Sequence, residues 1–234
     1  MTIVVSVLTP TYNRKRFVTS MVTCYKNQTY PKESMEWIVL DDGTEKIEKE
    51  FLEATKGLPN IRYISLEEKL TIGAKRNRLN QEARGEYLVS WDDDDYYSPE
   101  RVAHAVKKMM AQPNYMLAGS SELYLYFKNT KTIYRVGPYH GKHATNGTFV
   151  VRSSYAKSHL YDETVMFAEE KSFLENYVHP LLQLDPFKVM LVMCHDENTF
   201  NKDKIVKEEN KFVKKTSMKI KNFIKEASLR SFFE

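Results

Sequence analysis

The chain is expected to adopt an α/β fold in which helices cover both faces of a mostly parallel central sheet. Three observations predict it. Apolar strand-like runs alternate with helix-like segments four times within the first hundred residues. The runs are continuously apolar and rich in β-branched residues, as in strands covered on both faces. Polar clusters follow three of these strands, and ligands of open α/β sheets bind beyond the carboxyl ends of the strands.

Taken in order, Ile3-Val4-Val5-Ser6-Val7-Leu8 is the first strand, with Thr9, Pro10, Thr11, Tyr12 and Asn13 as a turn and 14–26 as a helix. Trp37-Ile38-Val39-Leu40 is the second strand and ends in Asp41-Asp42-Gly43-Thr44, a turn-forming sequence, before a charged helix over 45–56. A third strand over 61–64 leads to a helix over 73–83, with Leu79 and Ala83 on one face and Gly85 as its C-cap. The fourth strand covers 87–91. Ser98-Pro99-Glu100 then starts a helix that runs to Met110, with a hydroxyl at the N-cap, proline first and an acid in the first turn.

Beyond Pro113 the pattern changes. Residues 117–127 and 132–136 read as strands of a hairpin closed by a polar turn at 128–131. A short strand over 148–152, a helix over 169–178 ended by Pro180 and an apolar strand over 188–194 complete a smaller, antiparallel portion. From residue 201 the chain is Lys-rich, and Val213, Ile220, Phe223, Ile224 and Ala227 have the spacing of an amphipathic helix. Docking of that helix on its own domain ranks first; contact with an anionic membrane surface, or passage into a further domain, ranks behind.

Composition narrows the class. A length of 234 residues suits one domain over 1–200 with room for a sizeable core, followed by the 201–234 tail. No apolar run approaches the ~20 residues of a membrane span. The opening run is too short, and lacks a preceding charge, for a signal peptide, so a cytoplasmic location is expected. Cys24 and Cys194 have no CxxC neighbour and read as small buried apolar side chains. The net charge of +4 comes from the tail, with ten Lys/Arg against five Asp/Glu from 201 onward, which leaves the body near neutral. That balance argues against a nucleic-acid-binding body.

The stretch with most chemical content is Asp92-Asp93-Asp94-Asp95, at the end of the fourth strand. Four adjacent anions repel one another, and burying one without a partner is costly. If the segment is extended, Asp92 and Asp94 share one face and Asp93 and Asp95 the other. Two carboxylates at a strand end suit a hard divalent cation with positions left for phosphate oxygens and water. The alternative is a solvated acidic turn capping the next helix.

These residues resemble the GT-A (Rossmann-like, nucleotide-diphospho-sugar transferase) fold glycosyltransferases of the large inverting family 2. The resemblance rests on residues 7–14, on Ile38-Val39-Leu40-Asp41-Asp42-Gly43-Thr44, on Gly73-Ala74-Lys75-Arg76-Asn77 with Ala83-Arg84-Gly85-Glu86-Tyr87, and on the DxD-like segment 90–99. It is strong over the first hundred and ten residues and thinner afterwards. It implies a nucleotide-binding half over 1–110 and an acceptor and catalytic half over 111–200. Thr9, Pro10, Thr11, Tyr12, Asn13 and Arg14 would form the nucleotide loop, and Asp41 would hold base and ribose, with Asp42 supporting the turn. Gly73, Lys75 and Arg76 would approach the diphosphate, while Asp93 would act close by as a supporting group. Asp94 would bind Mn2+ or Mg2+, with Asp92 on ribose or metal and His195 completing the metal shell. Glu170 would be the catalytic base, with Glu169 as alternate, because adjacent helical residues do not share a face. His143 and Asn146 are weaker candidates for contact with donor sugar or acceptor.

The activity so implied is metal-dependent, inverting transfer from a nucleotide-diphosphate sugar, UDP-linked first, to a hydroxyl on a glycan, protein or lipid. Two rivals stand beside it. A sugar nucleotidyltransferase would need a glycine-rich loop near the N-terminus, and 9–14 contains no glycine. A binding module that has lost catalysis draws support from the Glu169-Glu170 pair, which replaces the family's usual Glu-Asp.

Overall fold

The computed structural model describes residues 2–165, 168–196, 198, 202, 205–206 and 210–234. Its main sheet has seven strands. Those of the first half are β1 (Val5–Thr11), β2 (Met35–Asp41), β3 (Ile61–Ser65) and β4 (Tyr87–Ser90). The second half adds β6 (Leu117–Gly119), β9 (Val150–Arg152) and β10 (Leu181–Gln183), in the order β10-β6-β9-β4-β1-β2-β3. β1 lies between β2 and β4, parallel to both, and β2 is parallel to β3. Only β9 runs antiparallel to its neighbours β4 and β6. The mostly parallel α/β expectation therefore holds.

The period-two alternation of the buried strands sorts their side chains into two cores. Val7, Trp37 and Val39 join one cluster with Met21, Phe51 and Val102, from helices α1 (Val18–Lys26), α2 (Glu48–Ala54) and α4 (Arg101–Ala111). Leu8, Ile38 and Leu40 join the other, with Leu79 of α3 (Ile72–Glu82), Tyr155 of α5 (Ser153–Ser158) and Phe173 of α6 (Glu170–Phe173). Trp37 stacks on Tyr25 at 4.3 Å and meets the edge of Phe51 at 5.0 Å, fixing α1 and α2 on the same strand.

A second, five-stranded sheet runs β12-β8-β7-β11-β5. It comprises β5 (Tyr96–Tyr97), β7 (Leu123–Phe127), β8 (Thr132–Val136), β11 (Met190–Cys194) and β12 (Val213–Lys215). The expected β7–β8 hairpin is present, with Leu123 opposite Val136. β5 joins this sheet directly after the acidic stretch, so the chain crosses from one sheet to the other at Asp92–Asp95.

Several expectations need correction. β1 continues through Thr9 and Pro10 to Thr11, because β2 pairs with it along that whole length. The helix expected over 14–26 opens as a 3-10 turn at Lys15–Phe17. The run 117–127 is two strands in different sheets, interrupted at 120–122. Gly85 does not cap α3 with a left-handed turn; its N–H donates to Ser6 Oγ at 2.8 Å, tying the chain back to β1. The helix expected over 169–178 stops at Phe173, because Glu175, Asn176 and Tyr177 have left-handed φ values of 46, 58 and 62°. In place of one amphipathic helix from 201, the described residues include helical 205–206, then β12, a 3-10 turn at Ile220–Asn222 and a terminal helix at Ala227–Phe233. Ile220, Phe223 and Ile224 are buried in the first core cluster, so the apolar residues dock on the domain although their local structure differs.

Candidate active site

β1, β2 and β4 are in parallel register, so their carboxyl ends open on one edge of the sheet. There β4 ends at Ser90 and the next residues bend instead of staying extended. The expected pairing of faces is therefore not observed, and each carboxylate finds its own partner. Asp92 lies 3.4 Å from Arg76, its N–H donates to the Tyr97 hydroxyl at 2.7 Å, and its Oδ2 lies 2.7 Å from where a Cβ on Gly147 would stand. Only glycine allows that approach. Asp93 accepts from Thr11 Oγ1 at 2.5 Å, Asp94 lies 3.2 Å from His195 Nε2, and Asp95 accepts the Met193 N–H at 2.7 Å.

Burial sets the charges of the quartet. It raises Asp92, with Arg76 opposing, and raises Asp95. It pushes Asp93 up to about 8, with the Asp94 charge adding to it. Burial also works against Asp94, but the His195 hydrogen bond, with Lys202 and Arg14 nearby, holds it below the usual carboxylate range. Asp94 is thus the member of the quartet whose carboxyl is held below the ordinary range. Its oxygen and His195 Nε2 are separated as adjacent ligands of an octahedral ion are, at about 3 Å. Asn198 Nδ2 lies 3.3 Å from the same oxygen. An oxygen donor with one imidazole, beside an excess of carboxylates, fits Mn2+ or Mg2+ with phosphate and water completing the shell. Asp92 lies 3.4 Å from Arg76, and the charge of Asp94 acts on its carboxyl as well.

The first loop surrounds this centre. Arg14 lies 3.9 Å from both Asp93 and Asp94. Asn13, with φ of 55°, accepts the Glu45 N–H at 2.9 Å, and Tyr12 stacks under Lys69 at 4.0 Å. Thr9 points into the sheet and accepts from Trp37 Nε1 at 3.0 Å, while Pro10 is buried in the strand. The Asp41 carboxylate is fully buried and accepts from the N–H groups of Gly43 and Ile47 and from the Tyr63 hydroxyl. Asp42 accepts from the Leu70 N–H and pairs with Lys75 at 2.7 Å. Lys75 therefore braces the second acidic turn, and Gly73 sits against the Asp162 backbone carbonyl. Of Gly73, Lys75 and Arg76 on α3, it is Arg76 that contacts the acidic quartet.

Arg76 links the two halves. Its Nε donates to Glu169 at 2.9 Å, and Asp92 lies on its other side. Asn146, with its amide oriented to suit its neighbours, accepts from Arg76 Nη1 at 2.5 Å and donates to the Tyr161 hydroxyl at 2.6 Å. Burial opposes the guanidinium charge, but Asp92 and Glu169 outweigh it. The carboxyl of Glu170 is raised by burial and then by Glu169, and no cation among the described residues pairs with it. His143 is not drawn into this network; it stacks on Tyr177 with ring centroids at 5.3 Å.

Sequence reasoning did not single out Tyr97, Tyr161, Asn198 or Lys202. Lys202 Nζ bonds the Met193 carbonyl at 3.1 Å, and burial works against its charge while Asp95 and Asp94 raise its pKa. Its only local signal was membership of a Lys-rich tail, which hides one half-buried lysine among many exposed ones. Asn198 lay within the His195 loop but carried no spacing to mark it.

The sequence matches glycosyl transferase family 2 over residues 6–182. Poly(ribitol-phosphate) beta-N-acetylglucosaminyltransferase TarS of Staphylococcus aureus is 30% identical over 101 residues, covering 43% of this chain and 18% of the relative. The chain thus spans about a fifth of that relative's length. The structure of S. aureus TarS 1-349 in complex with UDP-GlcNAc superposes with a TM-score of 0.64 at 19% identity, over 84% of this chain and 60% of that one. The mannosyltransferase PcManGT from Pyrobaculum calidifontis, in complex with GDP-Man and Mn2+, gives 0.67 at 14% identity, over 88% and 65%. At those identities the structural likeness concerns the fold, and it agrees with the GT-A expectation. No helix among the described residues is long and apolar enough to cross a membrane. The family match spans three quarters of the sequence and takes in Asp94, Arg76 and both glutamates, and the chain belongs to glycosyl transferase family 2.

Proposed function

We propose that the chain transfers a sugar, with inversion, from a nucleotide-diphosphate sugar to a hydroxyl acceptor in a metal-dependent reaction. The observation that carries this is the meeting of Asp92, Arg76 and Glu169 beside Glu170, which joins the acidic edge of the sheet to a carboxylate suited to accept a proton. Glu169 is engaged by Arg76, so Glu170 is the base. Its raised pKa makes the ionised form a stronger proton acceptor. The acceptor oxygen attacks the anomeric carbon from the face opposite the leaving group. Its proton passes to Glu170, and the bond from that carbon to the diphosphate oxygen breaks.

Asp94 and His195 would hold Mn2+ or Mg2+, and such an ion neutralises charge growing on the departing diphosphate. Arg76 adds a fixed cation from the protein. Thr11, Tyr12, Asn13 and Arg14 border the nucleotide, and Asp41 and Asp42 hold the second turn that faces it. The division into a nucleotide-binding half (1–110), an acceptor half (111–200) and a tail (201–234) belongs to the same proposal. So does a cytoplasmic site of action; with the tail's apolar residues docked on the domain, its basic face is what a membrane surface or a further domain would meet.

The names and bound ligands of the relatives support UDP-GlcNAc as the first donor to try, and poly(ribitol-phosphate) among the acceptors. The experiment is a panel of nucleotide sugars assayed for nucleoside-diphosphate release, with Mn2+, Mg2+ or chelator and with and without acceptors. Release that needs metal and is lost in Asp94→Ala supports the reading. Pyrophosphate release, or an Asp94→Ala variant at near-normal rate with metal supplied, overturns it.

A further inference from the structure

Beyond the candidate base, three side chains that the proposed reaction does not use face one another. His159 follows α5, and Glu175 and His179 follow α6. Among the described residues, these are the His, Cys, Asp or Glu side chains that bring three ligand atoms within 4.8 Å of one another. His179 Nε2 is 2.9 Å from Glu175 Oε2, and His159 Nε2 is 3.7 Å from Glu175 Oε1. Zinc ligands at 2.0–2.1 Å in a tetrahedral shell stand about 3.3 Å apart, and the two observed separations bracket that value.

The rings are held in orientation by their surroundings. His159 Nδ1 lies 3.0 Å from both the Tyr155 carbonyl oxygen and the Ser158 hydroxyl, and the tautomer that donates to the carbonyl carries its proton on Nδ1. Its Nε2 lone pair then faces a carboxylate oxygen, so two acceptors oppose each other unless a proton or a cation stands between them. The His159 ring lies flat on Tyr155 at 3.8 Å and 2°, and the His179 ring stands edge-on to it at 5.2 Å and 87°. A backbone carbonyl behind a ligating imidazole is the usual way a metal-binding histidine is oriented. The side chains retain 20, 56 and 30% exposure for His159, Glu175 and His179, which admits an ion and leaves a position for water.

We propose that His159, Glu175 and His179 form a zinc-binding site, distinct from the carboxylate-rich edge that would take Mn2+ or Mg2+. Two imidazoles and one carboxylate select zinc over magnesium, which prefers oxygen ligands. The bound ion ties the end of α5 to the turn after α6 and so stiffens the segment that carries Glu169 and Glu170. The inference is independent of which sugar is transferred, and of whether any is.

The test uses the full chain, stripped of metal, incubated with zinc in excess Mg2+, desalted and assayed for retained metal and thermal unfolding. The wild-type chain is expected to retain about one equivalent of zinc at this site and to unfold at a higher temperature with zinc than without. His179→Ala and Glu175→Gln each lose at least about tenfold in zinc affinity and the thermal shift, while Asp94→Ala keeps both. Circular dichroism establishes that each variant is folded, and the exposed Glu175→Gln keeps the test open if His179→Ala does not fold. Absence of zinc from the wild-type chain, or equal retention in the wild type and the folded variants at 175 or 179, overturns the proposal.

Discussion

The first hundred and ten residues and the rest of the chain build the same site by different means. In the first part each strand is followed by its own helix, strands pair in parallel, and the acidic groups project where the strands end. In the second part short strands are shared between two sheets, β6, β9 and β10 in one and β7, β8, β11 and β12 in the other. The candidate base there stands on the four-residue helix Glu170–Phe173, which ends in a run of left-handed residues. The difference separates function. In the proposed reaction the parallel half supplies most of the groups that would meet the diphosphate, and the second half adds His195 and the carboxylate that would take a proton.

That separation can be broken most sharply at Glu170. Glu170→Gln keeps the shape and removes the base, so kcat should fall by about a hundred- to ten-thousandfold while the KM for donor changes little. The wild-type rate should also fall in acid as Glu170 is protonated. Its pKa is raised, by burial first and by Glu169 next, so the acid limb should lie above the ordinary carboxylate range and vanish from the variant's residual rate. Steady-state kinetics across pH measures both, and a larger loss in Glu169→Gln than in Glu170→Gln would exchange their roles.

Arg76 is the bridge between the halves, and Arg76→Lys sharpens the comparison. Lysine keeps the charge but cannot contact Asp92, Glu169 and Asn146 together with one planar fork. A loss of about ten- to a hundredfold in kcat/KM is expected, divided between binding and turnover. A loss confined to KM would place Arg76 with the nucleotide-binding groups alone.

The smallest expected effect on chemistry is at Phe223, in the tail. Its ring stacks on Phe187 at 5.3 Å and packs against Tyr124 at 5.2 Å. Phe223→Ala should lower stability by about 3 kcal/mol, read from the denaturant midpoint, with the activity per folded molecule unchanged. A stability change under about 0.5 kcal/mol would mean that the tail is not docked as described.

What was legible in the sequence follows from the same contrast. Continuous apolar runs such as Trp37-Ile38-Val39-Leu40 declare a buried strand locally, and a carboxylate cluster just after one declares a site. The directions of Asp92–Asp95 were not legible, because they depend on the crossing from β4 to β5, which the partner strand β11 determines from far along the chain. Thr9 carried a motif position, yet its side chain serves Trp37. The Asp94–His195 pairing was anticipated only through family resemblance, since no local pattern joins residues 101 positions apart. The tail misled because Val213, Ile220, Phe223 and Ile224 are spaced like one helical face, while β8 recruits the first of them into a sheet edge.

The most direct test of the central claim is calorimetric titration of UDP into the metal-free chain, the Mn2+-loaded chain and Asp94→Ala with Mn2+. The account predicts that Mn2+ tightens UDP binding by at least about tenfold in the wild type and leaves the variant unchanged. Equal UDP affinity in all three samples, with both proteins folded, would contradict it.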